Sequence, residues 1–306
     1  MNNLGFSEIT YLGFPLSFNN SKYHLFSKKD LLNLIYRSLL ENTKKGIKNL
    51  CIDSSEIEFS DDFFGDRIDE ESPEVEELLN RINKIIILHS SKIFFYCSKE
   101  YFLASQMEEV KDKTISLLNS ISSIFDSIGI NYPSIIIRVG SAYGNRKETM
   151  KSFCSRVYLL SEETRSKLTV TNDDKPSLFS VTDLLSGIYY ETQIPITFRF
   201  IGHVFNNGGL TARESIFLSA STWKGEIPLF IHSESKERDK EGNFVSPSPS
   251  DYLLNRIPTF GLSLNVILEV NKKEDSCLKY SREILSLTPI IFTKKIKKKN
   301  DKKIKS

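Results

Sequence analysis

Four side chains able to do chemistry stand where apolar, strand-forming runs end. Arg138 follows Ile135-Ile136-Ile137, Arg199 follows Ile196-Thr197-Phe198, His232 closes Leu229-Phe230-Ile231, and Glu269 follows Val266-Ile267-Leu268. A guanidinium is always protonated, so Arg138 and Arg199 are candidate anion-binding groups. An imidazole and a carboxylate are the usual ligands of divalent metals, which makes His232 and Glu269 a candidate pair. Tyr96 and Tyr143 have rings that can stack on a base, and Asn172 and Lys175 can hydrogen-bond to DNA. Plainer roles compete at each position. His232 can be a buried histidine, Glu269 can pair with Arg138 or Arg199, Asp173 and Asp174 can cap the next element, and the tyrosines can be core or rim aromatics.

Eight strand-like runs must position these groups: Ile9–Phe14, Lys48–Asp53, Lys92–Cys97, Ser134–Val139, Leu168–Asn172, Ile194–Ile201, Pro228–His232 and Leu262–Val270. Amphipathic runs separate them. Lys29–Lys45 spaces Leu31, Leu32, Ile35 and Leu39 at helical intervals, and Glu74–Leu88 and Glu108–Ile128 repeat the pattern. Shorter helical runs follow at Lys147–Leu160, Val181–Tyr190 and Ala212–Ser219, with a last one at Glu274–Leu287. Strand and helix alternating in this number predict an α/β fold, a single-domain (β/α)8 TIM barrel over residues 1–290. An open doubly wound sheet is the competitor, but no G-x-G-x-x-G turn occurs. In a barrel, strand C-termini hold the chemistry, and the irregular segments 53–73 and 233–249 fall there as loops.

Bulk properties narrow the classes. The 306 residues are 40% hydrophobic, enough for a large core. No apolar run is long enough to span a membrane, and the N-terminus has no secretory pattern. Four widely spaced cysteines without a C-x-x-C pair are expected as reduced thiols of an intracellular protein, in cytoplasm or nucleus. The net charge of +2 hides an asymmetry. Residues 294–306 carry eight of the 41 basic residues and one of the 39 acidic ones, which leaves 33 basic against 38 acidic in the body. Residues 291–306 are therefore expected as a disordered Lys-rich tail, able to touch a polyanion without specificity.

The strand ends form a series. It runs through Tyr11-Leu12-Gly13-Phe14, Leu103-Ala104-Ser105 to Glu108-Glu109-Val110, and Val139–Gly144 with Lys147 and Phe153. It continues with Asn172-Asp173-Asp174-Lys175, Ile194-Pro195, His203, Asn206, Gly208, Thr222-Trp223, Asp251-Tyr252 and Ile267-Leu268-Glu269. In this order, over nearly the whole chain, the series resembles the UV-damage endonuclease (UvdE/UvsE) family. The resemblance implies a barrel that binds damaged duplex DNA at its mouth and cuts 5′ to the lesion with divalent metals such as manganese. Two or three cations held about 4 Å apart would stabilise the attacking and leaving oxygens.

The ligand set that the resemblance implies is largely replaced. Tyr96-Cys97 stand for a His-Pro pair, Arg138 for a histidine, and Thr171 for a glutamate. Arg199 and Gly202 stand for an aspartate and a histidine, Phe230-Ile231-His232 for Lys-x-His, and Pro249 for a loop histidine. Only His232 and Glu269 remain as metal-ligand remnants. At an effective dielectric of about 20, a unit charge about 5 Å from a dication opposes it by roughly 6–7 kcal/mol. The expectation is a catalytically degenerate member, its metals lost or weakened, that binds DNA, another anion or a protein partner at the mouth. The alternative is an active metal-dependent endonuclease with a site rearranged around His203, His232, Glu269, Asp173 and Asp174. A barrel enzyme holding a phosphorylated substrate on Arg138 and Arg199 ranks last, because no positioned general base is evident.

Overall fold

A computed structural model describes residues 8–18, 22–69, 72–98 and 100–284. The Lys-rich tail 291–306 and the last turn of the helix expected to reach Leu287 lie outside the described residues.

The described residues form ten strands: β1 Glu8–Tyr11, β2 Tyr23–Leu25, β3 Leu50–Asp53, β4 Ile57–Phe59, β5 Ile93–Tyr96, β6 Ile135–Ile137, β7 Leu168–Thr171, β8 Ile196–Arg199, β9 Leu229–His232 and β10 Asn265–Leu268. Eight form one parallel sheet in the order β1-β10-β9-β8-β7-β6-β5-β3. The two ends meet. Leu12 bridges Cys51, and the Gly13 N–H donates to the Cys51 carbonyl at 2.9 Å, so the sheet closes. Each of the eight expected strand runs overlaps one of these strands, β1 starting one residue earlier than expected at Glu8, and the fold is a (β/α)8 barrel. The pair β2–β4, three residues each and parallel, was not expected; it builds part of the segment after β1 and β3. The Ser233–Pro249 segment also has structure, with antiparallel bridges Ser235–Pro249 and Arg238–Phe244.

Alternation along the strands sets up two cores. Ile52, Phe95, Ile137, Val170 and Ile196 face outward onto the helices, with Leu31, Ile35, Leu118 and Ile121 on the other side. Phe198, Phe230 and Leu268 do the same on the far side of the barrel. The residues between them in sequence, Cys51, Phe94, Ile136, Ile231 and Ile267, fill the barrel interior. Trp223 joins this interior cluster from the turn before β9, its indole N–H donating to the Ile196 carbonyl at 2.8 Å. Each fully buried Leu, Ile or Phe contributes about 1.5–3 kcal/mol relative to exposure, so the strands are held by both layers at once. Helix starts are fixed locally. Ser27 and Asp30 form a capping box before Lys28–Lys44, and Ser180 with Asp183 and Thr211 with Glu214 repeat it.

Candidate functional site

The pleat decides which residues reach the mouth. Interior positions are every second residue, so beyond Phe94, Ile136 and Ile267 come Tyr96, Arg138 and Glu269. On β9 the interior residue is Ile231, and the next interior position is Ser233, not His232. The Ser233 hydroxyl lies 3.4 Å from a Glu269 carboxylate oxygen.

His232 therefore faces the helix layer. Its ring packs against Phe200 (centroids 4.7 Å apart) and Phe230 (5.5 Å), and it is paired in register with Leu268. Burial lowers its pKa from 6.5 to about 3, and Nδ1 has no hydrogen-bond partner among the described residues. The ring is neutral and structural here, which corrects the expectation of a metal-ligand remnant at this position. A one-residue offset in a strand exchanges the faces. His203 also lies outside the barrel, against Phe198, with Nδ1 3.1 Å from the Ser215 hydroxyl.

At the mouth, Arg199 makes a bidentate pair with Glu269, Nε and Nη2 each 2.9 Å from a carboxylate oxygen. Its Nη1 reaches Asp174 at 3.3 Å. Burial is the largest single influence on Arg199 and lowers its pKa; Glu269, Tyr96 and Asp174 together outweigh it and raise the pKa. Arg138, 7% exposed, hydrogen-bonds to Asp173, which is 1% exposed. Burial pushes the Asp173 carboxyl up against the pull of Arg138, and its Oδ2 has no hydrogen-bond partner among the described residues. Tyr96 lies buried within the field of both arginines, its phenol pushed up to about 12 by burial. Asp53, at the end of β3, is raised to about 6, chiefly by burial; its carboxylate accepts the Ser55 N–H at 2.9 Å. Two guanidiniums thus face three carboxylates, with Asp53 as a fourth acid nearby.

The anion-binding role expected of Arg138 and Arg199 meets this internal pairing: both cations are buried and already engaged. Of the two pairs considered for Glu269, the one with Arg199 forms. Asn172 is fully buried and clamps β7 to β8, accepting from the Arg199 N–H at 2.8 Å and donating to the Arg199 carbonyl at 3.1 Å. The DNA contact expected of Asn172 thus falls on a buried side chain engaged within the barrel. Asp173 and Asp174 neutralise arginines rather than cap a helix. Tyr143, 40% exposed, and Lys175, exposed, do stand on the rim. Tyr143 sits in a turn with φ +45°, after Gly140 at φ +112°. Two mouth residues were missed, Asp53 and Ser233. Alternation counted back from Glu269 and Ile231 would have found the second.

A divalent-metal cluster does not fit these residues. The carboxylates hold guanidiniums, both candidate histidines turn outward, and among the described residues no group of three or more His, Cys, Asp or Glu is placed to hold a metal. Gly202 adds a steric reason. A Cβ at Gly202, in the short helix Phe200–Phe205 that follows β8, would meet Asn172 Nδ2 at 2.9 Å and the Asn172 carbonyl oxygen at 3.1 Å, so no larger side chain stands there without a shift. Of the five residues of the rearranged-site alternative, Glu269 and Asp174 meet at Arg199 and Asp173 meets Arg138, whereas His203 and His232 pack against Phe198 and Phe200.

Fold and site define a (β/α)8 barrel whose mouth carries an arginine–carboxylate network. The family model for the UV-endonuclease UvdE matches residues 25–299, and the chain belongs to that family. It is 22% identical over 227 residues to a UV DNA damage endonuclease of Clostridium perfringens, covering 72% of this chain and 54% of that protein. It is 24% identical over 219 residues to the UV DNA damage endonuclease of Bacillus thuringiensis subsp. konkukian, covering 70% of this chain and 68% of that one. The chain thus spans about half the length of the Clostridium relative. The crystal structure of SacUVDE superposes with a TM-score of 0.72 at 23% identity, covering 89% of this chain and 96% of that one. Endonuclease IV from Thermus thermophilus superposes with a TM-score of 0.56 at 12% identity, covering 83% and 94%. These structures share the barrel. No helix among the described residues is long and apolar enough to cross a membrane.

Proposed function

We propose that this chain is a DNA-binding member of the UvdE family that does not incise. The observation that carries the reading is the bidentate Arg199–Glu269 pair. It occupies the carboxylate the family resemblance would give to a metal, and it brings a fixed positive charge with it. A cation approaching Glu269 must displace a guanidinium held by two charge-assisted hydrogen bonds and then face its charge. Arg138 repeats the arrangement with Asp173. Because acids outnumber the arginines at the mouth, DNA phosphates are held on the rim, where Tyr143 and Lys175 are exposed, rather than on Arg138 and Arg199. The matched relatives are named as endonucleases acting on UV-damaged DNA, which supports DNA as the partner.

Purified full-length protein with UV-irradiated duplex and Mn²⁺ tests this. The expected result is a retarded complex without strand cleavage. Nicking that disappears in Glu269→Gln contradicts it, and so does the absence of any DNA complex.

A further inference from the structure

A second polar cleft opens beside the mouth, with a volume of about 380 Å³. Its wall combines the loop after β5, the turn after β6, the first turn of the helix Glu108–Ser127 and one face of the helix Arg146–Val157. Two cations lie in it, Lys111 and Arg156, with the hydroxyls of Ser105, Thr149 and Ser152 and the ring of Tyr143 around them.

The two cations differ from those of the mouth. Lys111 is 3% exposed, and among the described residues its ammonium pairs only with Glu108, whose side chain is 79% exposed. A buried lysine normally needs a firm counter-ion, and a solvated carboxylate on its own helix is a weak one. Arg156 donates to the Ser152 hydroxyl at 2.5 Å, and among the described residues no carboxylate lies within ion-pair distance of it. The carboxylate on the cleft wall, Glu148, is turned to Lys151 at 3.3 Å. The Thr149 hydroxyl is engaged with the Ala142 and Asn145 carbonyls, so the cleft offers two incompletely neutralised cations and the two hydroxyls of Ser105 and Ser152 within one concave surface, a donor set that suits a phosphate.

Resting on the DNA-binding reading above, we propose that this cleft holds a backbone phosphate of the bound DNA strand, with Arg156 and Lys111 as its charge partners and Tyr143 against the adjoining sugar or base. A phosphate here replaces the exposed Glu108 carboxylate on Lys111. The acidic body of the chain then does not prevent DNA binding, because the contact is confined to a local basic site.

The test uses the full chain and a short fluorescein-labelled, UV-irradiated duplex, read by anisotropy across a salt series. Arg156→Gln is expected to weaken binding roughly five- to tenfold and to reduce the slope of log K against log salt by about one. Lys151→Gln, the same charge change on the exposed side of the same helix, is expected to leave both unchanged. Thermal melting confirms that both variants fold. Equal affinity and slope in Arg156→Gln and the unaltered chain overturn the proposal while leaving the DNA-binding reading intact. If the unaltered chain binds no duplex, that reading fails and the cleft is tested with inorganic phosphate and thymidine 5′-monophosphate. A thermal shift lost in Arg156→Gln then places a free phosphate ligand there, and no shift overturns the site as well.

Discussion

Arg199 reaches over the intervening strand β9 to Glu269 and closes two hydrogen bonds of 2.9 Å each. The pair is largely desolvated, with side-chain exposures of 7% and 18%. Removing one partner of such a pair leaves a buried charge and costs about 3–5 kcal/mol, whereas replacing both with apolar groups is often close to neutral. Glu269→Gln should destabilise the fold by that order in urea unfolding. Arg199→Met combined with Glu269→Leu should recover a large part of the loss, with Asp174 as the remaining unpaired group.

His232 gives a pH signature. An unfolded histidine titrates near pH 6.5, and the folded ring takes a proton only near pH 3. Between those values the unfolded chain binds the extra proton, so stability at this site is present above about pH 6.5 and falls as the pH drops towards 3. In His232→Leu, which keeps an apolar group between Phe200 and Phe230, the loss of stability from pH 7 to pH 4 should shrink by about 3 kcal/mol. Unfolding curves at the two pH values measure it. An unchanged difference would mean that the ring is not held neutral in the fold.

Asp53 has the opposite sign. Its folded pKa near 6 lies above the ordinary 3.8, so its contribution is present below about pH 4 and lost as the pH rises through 6. Asp53→Asn should therefore stabilise the chain at pH 8 by about 1–2 kcal/mol, less than the full shift implies because the carboxyl keeps some solvent contact. The gain should vanish at pH 4. Destabilisation at pH 8 would instead show an ionised, firmly paired Asp53.

Gly202 gives a steric prediction. Any Cβ there runs into Asn172, the residue that clamps β7 to β8. Gly202→Ala should cost about 1–3 kcal/mol in denaturant unfolding, the range for overpacking a tight site. A neutral effect would show that the loop carrying Asn172 yields freely.

The barrel was legible in the sequence because its strands are apolar runs separated by helices with clear 3.6-residue spacing. That Glu269 pairs with an arginine was legible too, since a carboxylate in Val-Ile-Leu-Glu-Val needs a counter-ion and few candidates stand at strand ends; the choice between Arg138 and Arg199 was not. The direction of His232 was not. A parallel strand buried on both faces shows no polar–apolar alternation, and Leu-Phe-Ile-His has none to read. Asp173 was hidden for a different reason. An aspartate in Asn-Asp-Asp-Lys fits a helix cap as well as an ion pair, and only the parallel pairing of β6 with β7 brings Arg138 to it. The β2–β4 pair, three residues long and formed across a long connection, leaves no periodicity in either strand.

The central claim is that Glu269 belongs to a guanidinium and not to a metal. Crystals of the full chain soaked in Mn²⁺ and measured at the manganese absorption edge test it most directly. The account predicts no anomalous peak in the barrel mouth and Arg199 still bidentate to Glu269. A manganese peak on Glu269, with Arg199 swung away, would contradict it.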